Sequence, residues 1–260
     1  MKTPISYYGG KQSMLKHILP LIPKHQTYVE PFFGGGAVFW AKEPVQSEVV
    51  NDMNGNVVNF YEQLKSNFDN LKRLIDATPY GRDVYRRAMV IYDCPFMFAP
   101  VERAWAFWVG TIQGFSNQIG TWRSTSIGNN GKEARLLFNK KSGFVKELSE
   151  RLKHIQIENK DACELIRHND GEDVFFYVDP PYVGSDQGHY GGYMQEHFDA
   201  LLETLAGIKG KFLLSSYPNE RLAVLTAQFG WWSKPVEMSL SASSKSGKRK
   251  TEMLTGNYGI

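Results

Sequence analysis

Cysteine is nearly missing: Cys94 and Cys163 are the only two in 260 residues. Neither a disulfide framework nor a CxxC pair can be built from them, so a reduced protein with no structural zinc or other metal site is expected. Long apolar runs are missing as well. No stretch approaches the roughly 18 consecutive apolar residues of a membrane span, and the opening MKTPISYYGGKQ lacks the apolar core of an export signal. A cytoplasmic protein with no membrane partner is the expectation. Charge of one sign is scarce: 30 Lys plus Arg face 27 Asp plus Glu, a net of +3 and a pI near 8.7. That balance identifies no polyanion partner, and only local clusters can inform. There is no internal repeat, and the nearest approach to low complexity is SLSASSKSGKRK at 239–250.

Several chemistries fail for want of letters. Gly9-Gly10-Lys11 is not a P-loop, because Ile5 stands where the first glycine would be and Gln12 where Ser or Thr would follow the lysine. Attack on cytosine carbon-5 needs a thiolate, usually in Pro-Cys, but Cys94 precedes its proline and Cys163 sits at an apparent helix start. Zinc deamination needs His-x-Glu and Pro-Cys-x-x-Cys, both absent. No His/Asp/Ser grouping near the strand ends supports a hydrolytic triad.

What is present is an ordinary globular composition, 42% hydrophobic and 22% charged, enough for one large domain or one domain carrying an insertion. Thr27–Phe32 reads as a strand that breaks into Gly34, Gly35 and Gly36, after which Ala37–Lys42 can start a helix. Ser47–Asp52 reads as a second strand and Asn54–Leu64 as a helix, an alternation that implies a parallel sheet. From Ser66 to Lys153 the pattern turns helical (Asp69–Ile75, Tyr85–Tyr92, Val101–Ile112) and then runs into a Gly/Asn/Ser/Arg-rich loop. Strand-like runs resume at Ile155–Glu158, Val174–Val178, Lys211–Ser215 and Trp231–Met238, with helices at His197–Ala206 and Glu220–Gln228. Thr251–Tyr258 is expected to pair with the preceding strand in a hairpin turned by the Ser/Lys/Gly segment. The class is therefore α/β: residues 1–65 plus 154–260 form the sheet domain, and 66–153 a mostly helical insert.

Asp179-Pro180-Pro181-Tyr182 follows directly on the apolar run Val174–Val178, which puts it at the carboxyl edge of a parallel sheet, where such sheets bind ligands. Two prolines fix φ and remove two N–H donors, leaving a stiff corner rich in acceptors with a ring beside it. A planar substrate bearing an NH₂ group suits it: Asp179 and the Pro180 carbonyl can each take one amino hydrogen while Tyr182 stacks on the ring face. The same letters can also make nothing more than a rigid turn. A second constellation joins Glu30, the loop Gly34 to Gly36, and Asp52, an acid 18 residues beyond Gly34 that can accept hydrogen bonds from ribose hydroxyls. The third glycine of a dinucleotide fingerprint would fall on Phe39, so NAD is disfavoured and S-adenosylmethionine, with a ribose and no phosphate, fits better. Tyr7 and Lys11, a ring and a cation on one turn, can hold the carboxylate end and an apolar part of a zwitterionic cofactor.

Taken together, YYGGK (7–11), VEPFFGGGAVF (29–39), VVNDMN (49–54), KDA (160–162), DPPY (179–182) and RKTEMLTGNY (249–258) resemble the Dam-type, alpha-group family of DNA adenine methyltransferases, phage members included. The likeness runs from residue 5 to about 258, in family order. It implies a Rossmann-like sheet using S-adenosylmethionine, split by an inserted target-recognition domain. It also implies roles: Tyr7, Lys11, Asp52 and Asp179 as cofactor contacts, with Glu30, Phe32, Gly34 and Asp161 beside them and Gly36 in the same loop, and Asp179, Pro180 and Tyr182 as the catalytic motif. The target base would be flipped out of the duplex to reach it.

The implied partner is double-stranded DNA, with no obligate protein partner evident. Between Thr121 and Lys153 stand eight basic residues, Arg123, Lys132, Arg135, Lys140, Lys141, Lys146, Arg151 and Lys153, against Glu133, Glu147 and Glu150. Lys245, Lys248, Arg249 and Lys250 add a second cluster suited to phosphate. Gly114-Phe115-Ser116-Asn117 and Arg123 resemble the family's recognition loop, so Asn117 and Arg123, with Lys132 and Arg135, are the DNA-contact candidates of the insert. The Asn-Phe and Pro-aromatic-Gly pattern that follows in the family is replaced here by Ile127-Gly128-Asn129-Asn130-Gly131-Lys132, so no recognised sequence is assigned. The residues leave open methylation of the 4-amino group of cytosine, a catalytically inactive DNA-binding module of the same fold, and, less well matched to the basic clusters, protein or RNA methylation.

Overall fold

The computed structural model describes residues 1–7, 9–115, 118–123, 132–184, 192–239 and 249–260, with backbone alone at 238, 239, 249 and 250. In chain order the elements are α1 (Leu15–Ile18), β1 (Thr27–Glu30), α2 (Ala37–Ala41), β2 (Ser47–Asn51), α3 (Gly55–Ser66), α4 (Phe68–Asp76), α5 (Arg82–Asp93), α6 (Pro100–Gln113), α7 (Lys132–Ser142) and α8 (Lys146–Leu152). They continue with β3 (Gln156–Glu158), α9 (Ala162–His168), β4 (Val174–Val178), α10 (Gln195–Ala206), β5 (Lys211–Ser216), α11 (Glu220–Phe229), β6 (Trp232–Ser239) and β7 (Arg249–Gly256). Every strand expected from the sequence is there, with ends moved by a residue or two. β1 stops at Glu30 rather than Phe32 because Pro31 has no N–H to give the ladder. The basic stretch after residue 131 is helical, as α7 and α8, where the sequence reading named no helix. In α7 only Glu133 and Leu137 are buried, so the apolar period is too sparse to read. No described helix is long and apolar enough to cross a membrane.

Contacts divide the chain into two compact units. The first comprises Met1–Lys11, Gly34–Ala41 and Asp52–Asn159. Its centre is α6, buried at Ala104 and from Ala106 through Gln113 and packed by α3, α4 and α5. A helix covered on so many sides has to be apolar almost all round. Phe107 of α6 meets the ring of Phe60 of α3, which also lies against Tyr61 and Phe144. Asn54 starts α3 by accepting the Asn56 N–H at 3.0 Å.

The second unit comprises Gln12–Phe33, Lys42–Asn51 and Lys160–Ile260, and its described strands lie in the order β2-β1-β4-β5-β7-β6. The first four are parallel and β7 runs antiparallel between β5 and β6. β6 and β7 pair antiparallel, as the hairpin expectation required, although its turn lies outside the described residues. Val174, Phe176 and Val178 of β4 share one face with Val29, Val49, Phe212 and Leu214 beneath α9, α10 and α11. Phe175 and Tyr177, one residue out of phase, face the other way and are also buried. Burial on both sides explains why β4 reads as an unbroken apolar run. Near the β1–β2 end Lys42 and Glu48, both buried, form an ion pair at 2.5 Å, with the ammonium 4.3 Å from the Tyr28 ring centre.

Candidate active site

In the second unit β4 delivers Asp179 to the carboxyl edge of the parallel strands, half-buried, with Pro180 buried behind it. Tyr182, half-buried, donates its hydroxyl to Asp179 Oδ1 at 3.4 Å and shares a 3.0 Å hydrogen bond with Ser215 Oγ of β5. Ser215, fully buried, can donate instead to Glu252 Oε2 of β7 at 3.5 Å, in which case Tyr182 donates to Ser215. The Tyr182 ring meets Tyr217 edge to face, centroids 4.3 Å apart, and a cleft beside it is lined by Pro181, Tyr182, Val183, Ser216, Tyr217 and Pro218. The three letters singled out in DPPY are thus gathered at one strand end.

Glu30 closes β1, buried, and accepts the Tyr28 hydroxyl at 2.6 Å. Burial first and the Glu30 charge second hold the Tyr28 phenol far above its ordinary range. The Tyr177 phenol is held up in the same way, by burial and then by Asp179, Tyr182, Glu30 and Glu252 around it. It stays neutral. Phe32 is half-buried, edge-on to Tyr193 at 6.3 Å. Asp161 caps α9, accepting the Glu164 N–H at 3.0 Å. The segment before it is pinned by Asn51, whose side chain donates to Pro31 O (2.8 Å) and Lys160 O (3.0 Å) and accepts from Lys160 N (2.8 Å). Asn51, Tyr177, Ser215 and Glu252 escaped the sequence reading. Their signal lies in strand register, since Ser215 and Glu252 come close only because β7 lies antiparallel to β5.

In the first unit the glycine loop and Asp52 are one hydrogen-bonded piece. Asp52, buried, accepts Gly34 N–H on Oδ2 and Asn54 N–H on Oδ1, both at 2.8 Å, while Tyr61 donates to the Gly34 carbonyl at 3.1 Å. Gly34 and Gly36 have φ of 46° and 63°, values that L side chains resist. A Cβ on Gly35 would come within 3.1 Å of Tyr7 Cβ, so the loop is pressed against Tyr7, whose ring lies 6.3 Å from Phe107. Lys11 is buried and donates to Gly9 O at 3.2 Å.

The basic run of 121–153 is less of a patch than its letters suggest. Lys140 reaches the carbonyls of Thr3 and Ile5 at 3.4 Å each, and burial, with Lys2 adding to it, lowers its pKa to about 8. Lys141 donates to Thr78 O at 2.8 Å, Lys146 pairs with Asp69 at 3.6 Å, Lys153 pairs with Glu150, and Arg151 lies over the Phe39 ring. Lys132 and Arg135 are exposed, three residues apart on α7. The carbonyl of Arg123 takes the Tyr80 hydroxyl, and its N–H is bonded to Gln113 O at 2.9 Å. Asn117, Lys245 and Lys248 lie outside the described residues, as do the side chains of Arg249 and Lys250.

Residues 7–234 match the family described as D12 class N6 adenine-specific DNA methyltransferase. Among individual proteins, the chain is 28% identical to the type II methyltransferase M1.LlaDCHI of Lactococcus lactis subsp. cremoris, over 96% of this chain and 93% of that one. A shorter stretch of 57 residues, 22% of this chain and 7% of the other, is 40% identical to the DNA N-6-adenine-methyltransferase of Escherichia phage P1. Among solved structures, a precorrin 8W decarboxylase of Methanobacterium thermoautotrophicum is similar at a TM-score of 0.39 and 10% identity, covering 100% of this chain and 96% of that one. Of the amines left open by the residues, the family match selects the 6-amino group of adenine in DNA. With 228 of its 260 residues inside that match, the chain belongs to the D12 class N6 adenine-specific DNA methyltransferases.

Proposed function

We propose that Asp179, Pro180 and Tyr182 carry out the transfer of a methyl group to the 6-amino group of an adenine flipped out of duplex DNA, and that S-adenosylmethionine is the donor. The observation that carries this reading is the Asp179 carboxylate fixed at the end of β4, ahead of two prolines and in hydrogen-bond reach of Tyr182. Adenine's amino lone pair is delocalised into its ring. Asp179 and the Pro180 carbonyl, each accepting one amino hydrogen, draw that lone pair out of conjugation, and the carboxylate offsets the positive charge that grows on nitrogen. The Tyr182 ring stacks on the base and recovers part of the few kcal/mol spent in flipping it. No covalent bond to the protein is needed. Positioning supplies the larger share, roughly 7–11 kcal/mol for well-oriented reactants.

The residues of the first unit fit a nucleoside-bearing cofactor. Asp52 is held just after β2 by the N–H groups of Gly34 and Asn54, the position from which an acid accepts hydrogen bonds from ribose hydroxyls, and the bare backbone at Gly34 and Gly36 permits close approach. Tyr7, Lys11, Gly34, Gly36 and Asp52 are the residues of this unit that would hold the group. When bound, it supplies a methyl carbon made electrophilic by a sulfonium. Target recognition is assigned to 66–153 as an insert in a catalytic domain of 1–65 plus 154–260, with Asn117, Arg123, Lys132 and Arg135 on DNA and Lys245, Lys248, Arg249 and Lys250 on phosphate. Acting on DNA, the enzyme is expected to work in the cytoplasm. Tritiated methyl transfer to duplex DNA, followed by nucleoside analysis, tests the assignment: N6-methyladenine should form, and Asp179→Ala should lower its rate by at least about a hundredfold. Activity surviving that substitution would overturn the role given to Asp179.

A further inference from the structure

Gln113, the last residue of α6, is fully buried, and its amide is used on both sides of a single residue in the turn between α4 and α5. Its Nε2 donates to the Pro79 carbonyl at 3.1 Å and its Oε1 accepts the Gly81 N–H at 3.3 Å. The backbone of Tyr80 is thereby held from either side. The same turn is fastened at Thr78, whose hydroxyl accepts the Trp105 indole N–H at 2.7 Å and whose carbonyl accepts Lys141 at 2.8 Å. From this base Tyr80 donates its hydroxyl to the carbonyl of Arg123, while the Arg123 N–H donates to the Gln113 carbonyl at 2.9 Å. The circuit closes: Gln113 side chain to the backbone around Tyr80, Tyr80 side chain to Arg123 backbone, Arg123 backbone to Gln113 backbone.

A residue has only two soft backbone torsions. With its N–H and its C=O tied to one frame, Arg123 keeps little freedom in either, and the direction in which its side chain leaves the backbone is set. The stretch leading to it is paired as well, through the antiparallel bridge between Gly114 and Trp122 and the bond from Phe115 N–H to the Thr121 carbonyl at 2.7 Å. Burying an amide is costly unless it is hydrogen-bonded, and what the buried Gln113 secures is the backbone of a half-buried arginine.

We propose that Tyr80 and Gln113 are positioning residues for target recognition: they aim the Arg123 guanidinium at one base pair of the recognised site and so set the discrimination at that position. This rests on the reading of Arg123 as a DNA contact. An arginine distinguishes a base pair by laying two N–H groups along guanine O6 and N7, a fit that tolerates errors of only about 0.5 Å and roughly 10–20°. A side chain rooted in a loose backbone still meets phosphate, but it loses the bidentate fit. The guanidinium has five N–H donors, so a contact within the protein leaves others for a base.

The test compares sites as well as rates. The full-length protein methylates a duplex carrying the target site mapped by methylation-sensitive sequencing, and duplexes in which one base pair beside the target adenine is changed at a time. Ratios of kcat/KM give the discrimination at each position. Arg123→Ala should cut the ratio at one position about fivefold to 150-fold, the span of one bidentate contact. Tyr80→Phe keeps the ring against Trp122, centroids 5.9 Å apart, and removes only the hydroxyl. It should cut the ratio at that same position about threefold to tenfold, the span of one hydrogen bond, with the other positions, the cofactor KM and the affinity for an unrelated duplex little changed. Beside Arg123→Ala it should add nothing. The positioning role is overturned if Tyr80→Phe leaves every ratio unchanged, lowers all of them alike, or costs as much beside Arg123→Ala as alone. Melting curves check folding, and Gln113→Leu, which releases the Tyr80 backbone, carries the test should Tyr80→Phe fail to fold. Arg123→Ala with every ratio intact would bring down the reading of Arg123 and the positioning role together, whereas a ratio lost in Arg123→Ala beside an unaffected Tyr80→Phe removes the positioning role alone.

Discussion

Gly36 sits at φ 63° in the loop that follows β1, and Gly34 at 46°. A Cβ at such a φ costs about 1–2 kcal/mol, so Gly36→Ala should lower the unfolding free energy by that amount in urea titration and weaken cofactor binding in calorimetry more than the stability loss accounts for. At this scale the site was legible where its chemistry is contiguous. DPPY could be read because acid, rigid turn and ring are neighbours in sequence, and Asp52 because an acid after a second strand has a known use. Ser215 and Glu252, 37 residues apart, have no local pattern. A serine in FLLSS and a glutamate in RKTEM become a pair only when two strands settle into one register, and sequence spacing does not encode that.

Strands announced themselves better than helices did. β4 could be bounded to the residue because five apolar letters stop against Asp-Pro-Pro, whereas α3, expected at Asn54–Leu64, runs from Gly55 to Ser66 with Asn54 as its cap. α7 was missed for a physical reason: it buries little, and two of its lysines, Lys140 and Lys141, are spent on carbonyls instead of facing solvent. Letters that read as a DNA-facing cluster therefore serve in part to tie segments of the first unit together. In the other unit, the Lys42–Glu48 pair joins the residue after α2 to β2 inside the core. Removing one partner of a buried pair strands the other's charge, so Glu48→Ala should cost about 3–5 kcal/mol in urea unfolding. The double change Lys42→Met with Glu48→Leu should recover most of that loss, since it removes both charges and fills their volume.

For the molecule as a whole, the net charge of +3 says little about how DNA is held, and the distribution of cations says more. Lys132 and Arg135 are the exposed candidates on α7. If each neutralises one phosphate, replacing both by alanine should lower the slope of log affinity against log salt by about two, measured by anisotropy titrations across a salt series. An unchanged slope would place the phosphate contacts elsewhere.

The strand order carries a consequence for how the protein is made. β6 leaves the ribosome before β7, yet within the sheet it is joined only through β7, which inserts between it and β5. During that interval β6 is an edge with no neighbour, the kind of exposed strand that recruits other chains. A nascent chain arrested between 239 and 249 should accordingly be captured by holdase chaperones or aggregate. One released after residue 256 carries β7 in full, the strand that joins β6 to β5.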